Sequence, residues 1–234
     1  MRIHTRINCI LFFSLLWVCQ PVLAKDYIVE MIFFANVPAA EEPLAQVAEP
    51  VTLPDLQDAI LLDDSALLHD FLPLPQEALE LADQAAALTA SEKYQILEHV
   101  AWLQPGLAKR QAIPVRIQAG LDYSGEFGEH APVHLVTEDQ GMQEQHAISE
   151  LDGTVKVVLG RYLHVFTDLV YRRPVHKNMS SEPVTDVSGY GRVLADFPLK
   201  VHRKMRSKEL HYIDHPLFGI LVEIRPAQSE DETS

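Results

Sequence analysis

The sequence predicts an α+β fold, a mostly antiparallel sheet with a helical pair packed on one face. Three observations predict it. Short β-branched and aromatic runs recur along the chain, at 27–35, 113–119, 155–169, 199–206 and 218–224. A proline-led stretch and a capping pattern stand between the first two runs. Asp152-Gly153, a strong hairpin signal, precedes the longest alternating stretch.

Residues 27–35 carry one charge, Glu30, and read as a buried central strand. Residues 37–56 hold Pro38, Pro43, Pro50 and Pro54 among many acids, the composition of a loop or an inserted segment. A first helix is expected over 75–88, with Pro75 at its first position. A second follows the capping box Thr89-Ala90-Ser91-Glu92, because Tyr94, Leu97, Val100 and Ala101 share a helical face, and Pro105-Gly106 stops it. The short join makes the two helices an antiparallel pair. The strand–helix–strand order also leaves room for one parallel strand pair.

Residues 113–119 read as a strand, and 120–144 are polar and glycine-rich with little periodicity. Residues 147–151 lead into a hairpin turn at Asp152-Gly153. Val155, Val157 and Leu159 alternate with other residues. Leu163, Val165, Thr167 and Leu169 do the same, opposite Tyr162, His164, Phe166 and Asp168. Gly160-Arg161 is a second tight turn or a bulge. Residues 172–192 read as a polar loop, 199–206 as a strand with a basic face, 218–224 as the last strand, and 226–234 as an acidic tail. No repeat and no second domain interrupt residues 25–225.

The N-terminal segment has the plan of a secretory signal peptide. Arg2 and Arg6 precede an almost wholly apolar stretch from Ile7 to Val18, and Pro21-Val22-Leu23-Ala24 ends it with small residues. Cleavage is expected after Ala24. An uncleaved anchor is disfavoured because the apolar stretch falls short of the ~18–20 residues of a span. Lipidation at Cys19 is disfavoured because Trp17 and Val18 precede it. The only cysteines, Cys9 and Cys19, leave with the segment, so neither thiol catalysis nor disulfides are expected in the mature domain. No later stretch is apolar for long enough to span a bilayer.

The chain's net charge of −14 becomes −16 once Arg2 and Arg6 are removed. Residues 25–90 hold 13 acids and a single base, Lys25, which makes nucleic acid a poor partner. The run from Asp26 to Glu92 without lysine or arginine is a solvated insertion or an acidic docking surface.

No G-x-S-x-G elbow, S-x-x-K set or P-loop is present, and no catalytic residue is nominated. His211 and His215 are spaced i, i+4, which on a helix suits two zinc ligands, with Asp214, Glu209 or His202 as a third. The glutamate of H-E-x-x-H is missing and Pro216 ends any helix at once, so a structured turn is the expected reading. Lys200, Arg203, Lys204, Arg206 and Lys208 crowd nine residues, and Arg172, Arg173 and Lys177 form a second run. Such clusters grip carboxylates, or form a solvated sheet face balanced by the acidic region. Tyr94, His99, Trp102 and Gln104 mark the expected second helix, with Trp102 in the core.

Four stretches resemble a known family. They are Tyr27-Ile28-Val29-Glu30, then Tyr94-x-x-Leu97-x-His99-x-Ala101-Trp102-x-Gln104-Pro105, then Arg161-Tyr162-Leu163-His164, and the long run from Arg203 through His211-Tyr212-Ile213-Asp214-His215-Pro216 to Val222. Together they are similar to the CsiV family of gammaproteobacterial periplasmic proteins. The resemblance implies a non-enzymatic, periplasmic peptidoglycan-binding protein without a cofactor. It also implies support of wall synthesis by a class A penicillin-binding protein, together with that synthase's outer-membrane lipoprotein activator. It carries over no site residues and accounts for no role of 37–56. The chemistry of the residues nominates Arg161, Arg203 and Arg206 for stem-peptide carboxylates. It nominates Tyr162, His164 and Tyr212 for sugar or peptide contacts, with Glu209, His211 and Asp214 beside them.

Overall fold

Two antiparallel sheets face each other across a shared core. The computed structural model describes residues 25–37, 52–127, 147–178 and 190–227. The expected signal peptide, most of 37–56, residues 128–146 and the tail beyond Ala227 lie outside the described residues. The strands are β1 (Asp26–Asn36), β2 (Leu72–Pro73), β3 (Tyr94–Pro105), β4 (Val115–Asp122), β5 (Ser149–Leu159), β6 (Leu163–Asn178), β7 (Tyr190–Met205), β8 (His211–Asp214) and β9 (Phe218–Pro226). The α-helices are α1 (Ala82–Ala90) and α2 (Ser124–Phe127). The first sheet runs β2-β3-β1-β9-β8 and the second β4-β5-β6-β7.

The core follows from the alternation. Val29, Met31, Phe33 and Ala35 of β1 point inward with Ile220, Val222 and Ile224 of β9. They meet Val155 and Val157 of β5 and Val165 and Leu169 of β6 from the other sheet. Trp102 is fully buried among them, and its indole N–H donates to Gln104 Oε1 at 2.8 Å, so the polar end of the ring is satisfied.

The mostly antiparallel sheet is therefore as expected, but the helical pair is not formed. The first helix is shorter than predicted: Gln76–Ala78 is a 3-10 turn, and α1 begins at Ala82. The stretch expected as the second helix is strand β3. A bulge explains the misreading. Phe33 pairs with Glu98 and Phe34 with Ile96, so Leu97 has no partner on β1. The extra residue puts Leu97, Val100 and Trp102 against the same core, while Ile96 packs on the opposite face. Apolar residues three apart on one side of a bulged strand imitate a helical repeat. Thr89 to Glu92, read as a capping box, instead closes α1: the Ser91 N–H donates to Leu88 O. The strands on either side of this stretch, β1 and β3, run antiparallel, so no parallel pair arises there.

Asp152-Gly153 is not a turn either. Both residues lie inside β5, which continues unbroken to Leu159. Gly153 has φ 143°, and a Cβ there would sit 2.2 Å from Asp168 O, so glycine is needed for close strand approach. The expected turn at Gly160-Arg161 does join β5 to β6, with Leu159 opposite Leu163. Part of the expected polar loop at 172–192 is strand. Residues 172–178 extend β6, and 190–192 begin β7.

The outer face of the five-stranded sheet is covered by α1. Leu81, Ala85 and Leu88 lie on Ile32, Phe34 and Ile96. Beneath the start of α1 sits Glu30, fully buried. Its carboxylate accepts from Leu81 N at 2.7 Å, Glu80 N at 3.0 Å and Arg225 at 2.8 Å, and meets His99 Nε2 at 2.9 Å. Burial works against its charged form, but these four partners outweigh burial and hold the carboxyl below its ordinary range. Glu30 thereby supplies the anion that the helix N-terminus favours, where Leu81 gives no side-chain cap.

Candidate functional site

The outer face of the four-stranded sheet gathers cations and aromatic rings. Residues opposite one another in an antiparallel pair share a face. His164 pairs with Lys204, Phe166 with His202 and Asp168 with Lys200, all turned away from the core-facing Val165, Thr167 and Leu169. β5 adds Thr154 and Lys156, which lie opposite Asp168 and Phe166. Tyr162, in the turn before β6, continues the row.

The contacts within this row are close. Lys204 Nζ lies 3.4 Å from the centre of the Tyr162 ring, and the Arg161 guanidinium 5.8 Å from it. His164 Nδ1 and His202 Nε2 are 2.9 Å apart. The His202 ring stacks on Phe166 with centroids 4.2 Å apart and planes 1° from parallel. Lys109 and Lys156 each stand 5.9 Å from the Phe166 centroid. Lys200 Nζ donates to Asp168 at 2.6 Å, and that bond, with the Asp168 and Asp55 charges, raises the lysine's pKa.

A cleft of about 820 Å3 opens on this face. Residues 55–58 and 109–114 form its wall, and Thr154, Lys156, Phe166 and His202 lie along its sheet side. The wall is held to the edge strand by Ile60 N–H to Pro114 O at 2.9 Å and Arg116 N–H to Ile60 O at 2.8 Å.

The structure divides the residues nominated from sequence. Arg161, Tyr162 and His164 belong to this face. Arg203 lies opposite Val165, so it leaves the edge strand β7 on the core side and is exposed at the rim. Arg206 and Glu209 sit in the turn between β7 and β8, 3.5 Å apart. That pair is exposed, with side chains 79 and 50% accessible, and adds little to stability. His211 Nε2 accepts from the Arg206 N–H at 3.4 Å. Tyr212 and Asp214 face the opposite side of the molecule, with α1: Tyr212 stacks on Phe34 at 6.1 Å and donates to Asp214 at 2.6 Å. Burial, then the bond to Asp214 and its charge, push the Tyr212 hydroxyl up to about 12.

His211 and His215 occupy a strand and the turn after it, so they do not share a helical face. Among the described residues no group of three or more His, Cys, Asp or Glu is placed to hold a metal ion. Arg172, from the second basic run, is nearly buried and tied into the sheet: it donates to Ser149 O at 3.0 Å and pairs with Asp196 at 3.2 Å.

Sequence reasoning missed Phe166, Lys156 and Lys109 as ligand contacts; it named His202 only as a candidate third zinc ligand and Lys204 only as one of a basic cluster. For Phe166, His202 and Lys204 the signal was present, because the alternation placed Phe166 beside His164 and the basic strand supplied the other two. Lys109 comes from a segment that only the tertiary fold brings across the sheet.

A sheet face that carries cations and aromatic rings can attract anionic groups and stack against flat ring faces. Residues 10–227 match the family described as peptidoglycan-binding protein, CsiV, and the chain belongs to that family. No curated protein and no solved structure matches it.

Proposed function

We propose that this protein binds peptidoglycan through the outer face of the four-stranded sheet, as a non-enzymatic accessory of wall assembly in the periplasm. The observation that carries the reading is the row of Tyr162, His164, Phe166, His202 and Lys204 in a chain of a peptidoglycan-binding family. Peptidoglycan offers what such a row engages, sugar faces for rings and stem-peptide carboxylates for lysine and arginine. The signal-peptide pattern at 1–24 supports export. The resemblance extends the reading to promotion of a class A penicillin-binding protein through its lipoprotein activator. Arg203, Arg206, Glu209, His211, Tyr212 and Asp214 remain a separate candidate set along the rim and the far side. Sedimentation with purified sacculi tests the reading: the mature protein is expected in the pellet at low salt, and recovery in the supernatant overturns it.

A second reading is an adaptor with little direct wall binding. It is favoured by the acidic N-terminal region, where Leu67 and Leu68 are 54 and 84% exposed beside Asp64 and Asp70. Deleting residues 37–56 is expected to weaken a pull-down of the activator under this reading, and an unchanged pull-down counts against it.

A further inference from the structure

We infer that the cleft between 55–58, 109–114 and the outer sheet face is a pocket for the charged end of a peptidoglycan stem peptide. It takes a free carboxylate against Lys109 and Lys156 and an ammonium group against Asp55 and Asp58. The inference rests on the peptidoglycan reading above and names the part of the polymer recognised.

Three features carry it. The first is the charge left over. Of the cleft's acids, Asp168 is held by Lys200. Among the described residues no carboxylate forms an ion pair with Lys109, Arg110 or Lys156, and no base pairs with Asp55 or Asp58. A pocket with unspent charge of both signs suits a zwitterionic group better than a neutral sugar.

The second is the floor. Lys109 and Lys156 each stand 5.9 Å from the centre of the Phe166 ring, and His202 is stacked parallel to it. The ring is near enough to attract both ammonium groups, which keeps two positive charges on the sheet side of the cleft. The third is continuity. Tyr162, His164 and Phe166 alternate along one face of the chain, so the pocket lies ~13 Å from Tyr162 along β6, at ~3.3 Å per residue. A glycan seated near Tyr162 and His164 can send its peptide along the row into the cleft.

Calorimetric titration of the full mature protein tests this with two synthetic stem tetrapeptides. One ends in a diamino acid with free amine and carboxylates, and the other is the same peptide with its carboxylates amidated. The free acid is expected to bind at least ~10-fold more tightly, the effect of losing one charge-assisted bond. Lys109→Gln with Lys156→Gln is expected to erase that preference. Lys109 is exposed and Lys156 half-buried, and Gln replaces each with a shorter, uncharged polar chain that the surface accommodates, so folding is not at stake; Phe166→Leu provides a second variant, expected to weaken binding of either peptide. Equal binding of the two peptides, or an unchanged preference in the double variant, overturns the inference. Sacculi pelleting the protein while neither peptide binds overturns the pocket alone. Failure with sacculi and peptides together overturns the peptidoglycan reading as well.

Discussion

The Glu30 carboxylate and the Arg225 guanidinium meet 2.8 Å apart in the interior, although 195 residues separate them in the chain. Both side chains are almost wholly removed from solvent, at 0 and 8% accessibility. Breaking such a pair leaves a buried charge unmatched, so Glu30→Ala is expected to lower unfolding free energy by about 3–5 kcal/mol at neutral pH. The pH dependence has a definite sign. Glu30's carboxyl is held below its ordinary value of 4.5, so its contribution is complete above that value and is lost as pH falls through the lower, folded one. Urea midpoints at pH 7 and in acid are expected to show the gap between wild type and variant narrowing in acid. A constant gap would contradict the charged pair.

His215 predicts a second, separate acid step. Its ring stands 4.6 Å from that of Phe218, and its Nδ1 accepts the Leu217 N–H at 3.2 Å. Burial lowers its pKa below 6.5, against a smaller upward pull from Asp214. The unfolded chain therefore takes up the proton first. The stabilisation is complete above 6.5 and is lost as pH falls toward the folded value. His215→Gln is expected to show a smaller loss of Tm between neutral and mildly acidic buffer than wild type does. Parallel Tm curves would remove His215 from this role.

Gly153 is a strong test of the four-stranded sheet. A Cβ there would press on Asp168 O and on Leu169 Cα, 2.7 Å away, at a φ of 143°. Gly153→Ala is expected to cost about 3 kcal/mol, the upper end for a strained backbone position. The urea midpoint should fall while the far-ultraviolet spectrum keeps its strand shape. A variant as stable as wild type would mean that β5 and β6 do not approach as described.

The division of the nominated residues between two faces predicts unequal effects on wall binding. Tyr162→Ala is expected to weaken sacculus binding by roughly three- to tenfold, the usual worth of one ring contact. Tyr212→Ala, on the face shared with α1, is expected to leave it unchanged. Added salt should weaken wild-type binding because the Lys204 and Lys156 charges are screened. The reverse ranking of the two tyrosines would move the site to the far side.

Most strands were legible because burial on one face prints a period of two, as in Val155-Val157 and Leu163-Val165-Thr167-Leu169. The two main errors share a cause. Leu97 is an extra residue whose effect on β3 depends on its neighbour β1, and Gly153 serves close approach to β6. Neither requirement is local, so a local reading took one for a helix and the other for a turn. The nominated site was partly legible for the same reason. Tyr162 and His164 share a face by simple alternation. Nearness in sequence could not show that β8 joins the other sheet and carries Tyr212 and Asp214 to the opposite surface.

The first strand, β1, has β3 on one side and the last strand, β9, on the other, and Ala227 N–H closes onto Asp26 O at 2.9 Å. Until β9 is in place, the middle of the five-stranded sheet has an open edge. Completion of that sheet thus waits for a pairing between strands that are distant along the chain. A chain built this way leaves the edge of β1 open to stray strands for as long as β9 has yet to dock.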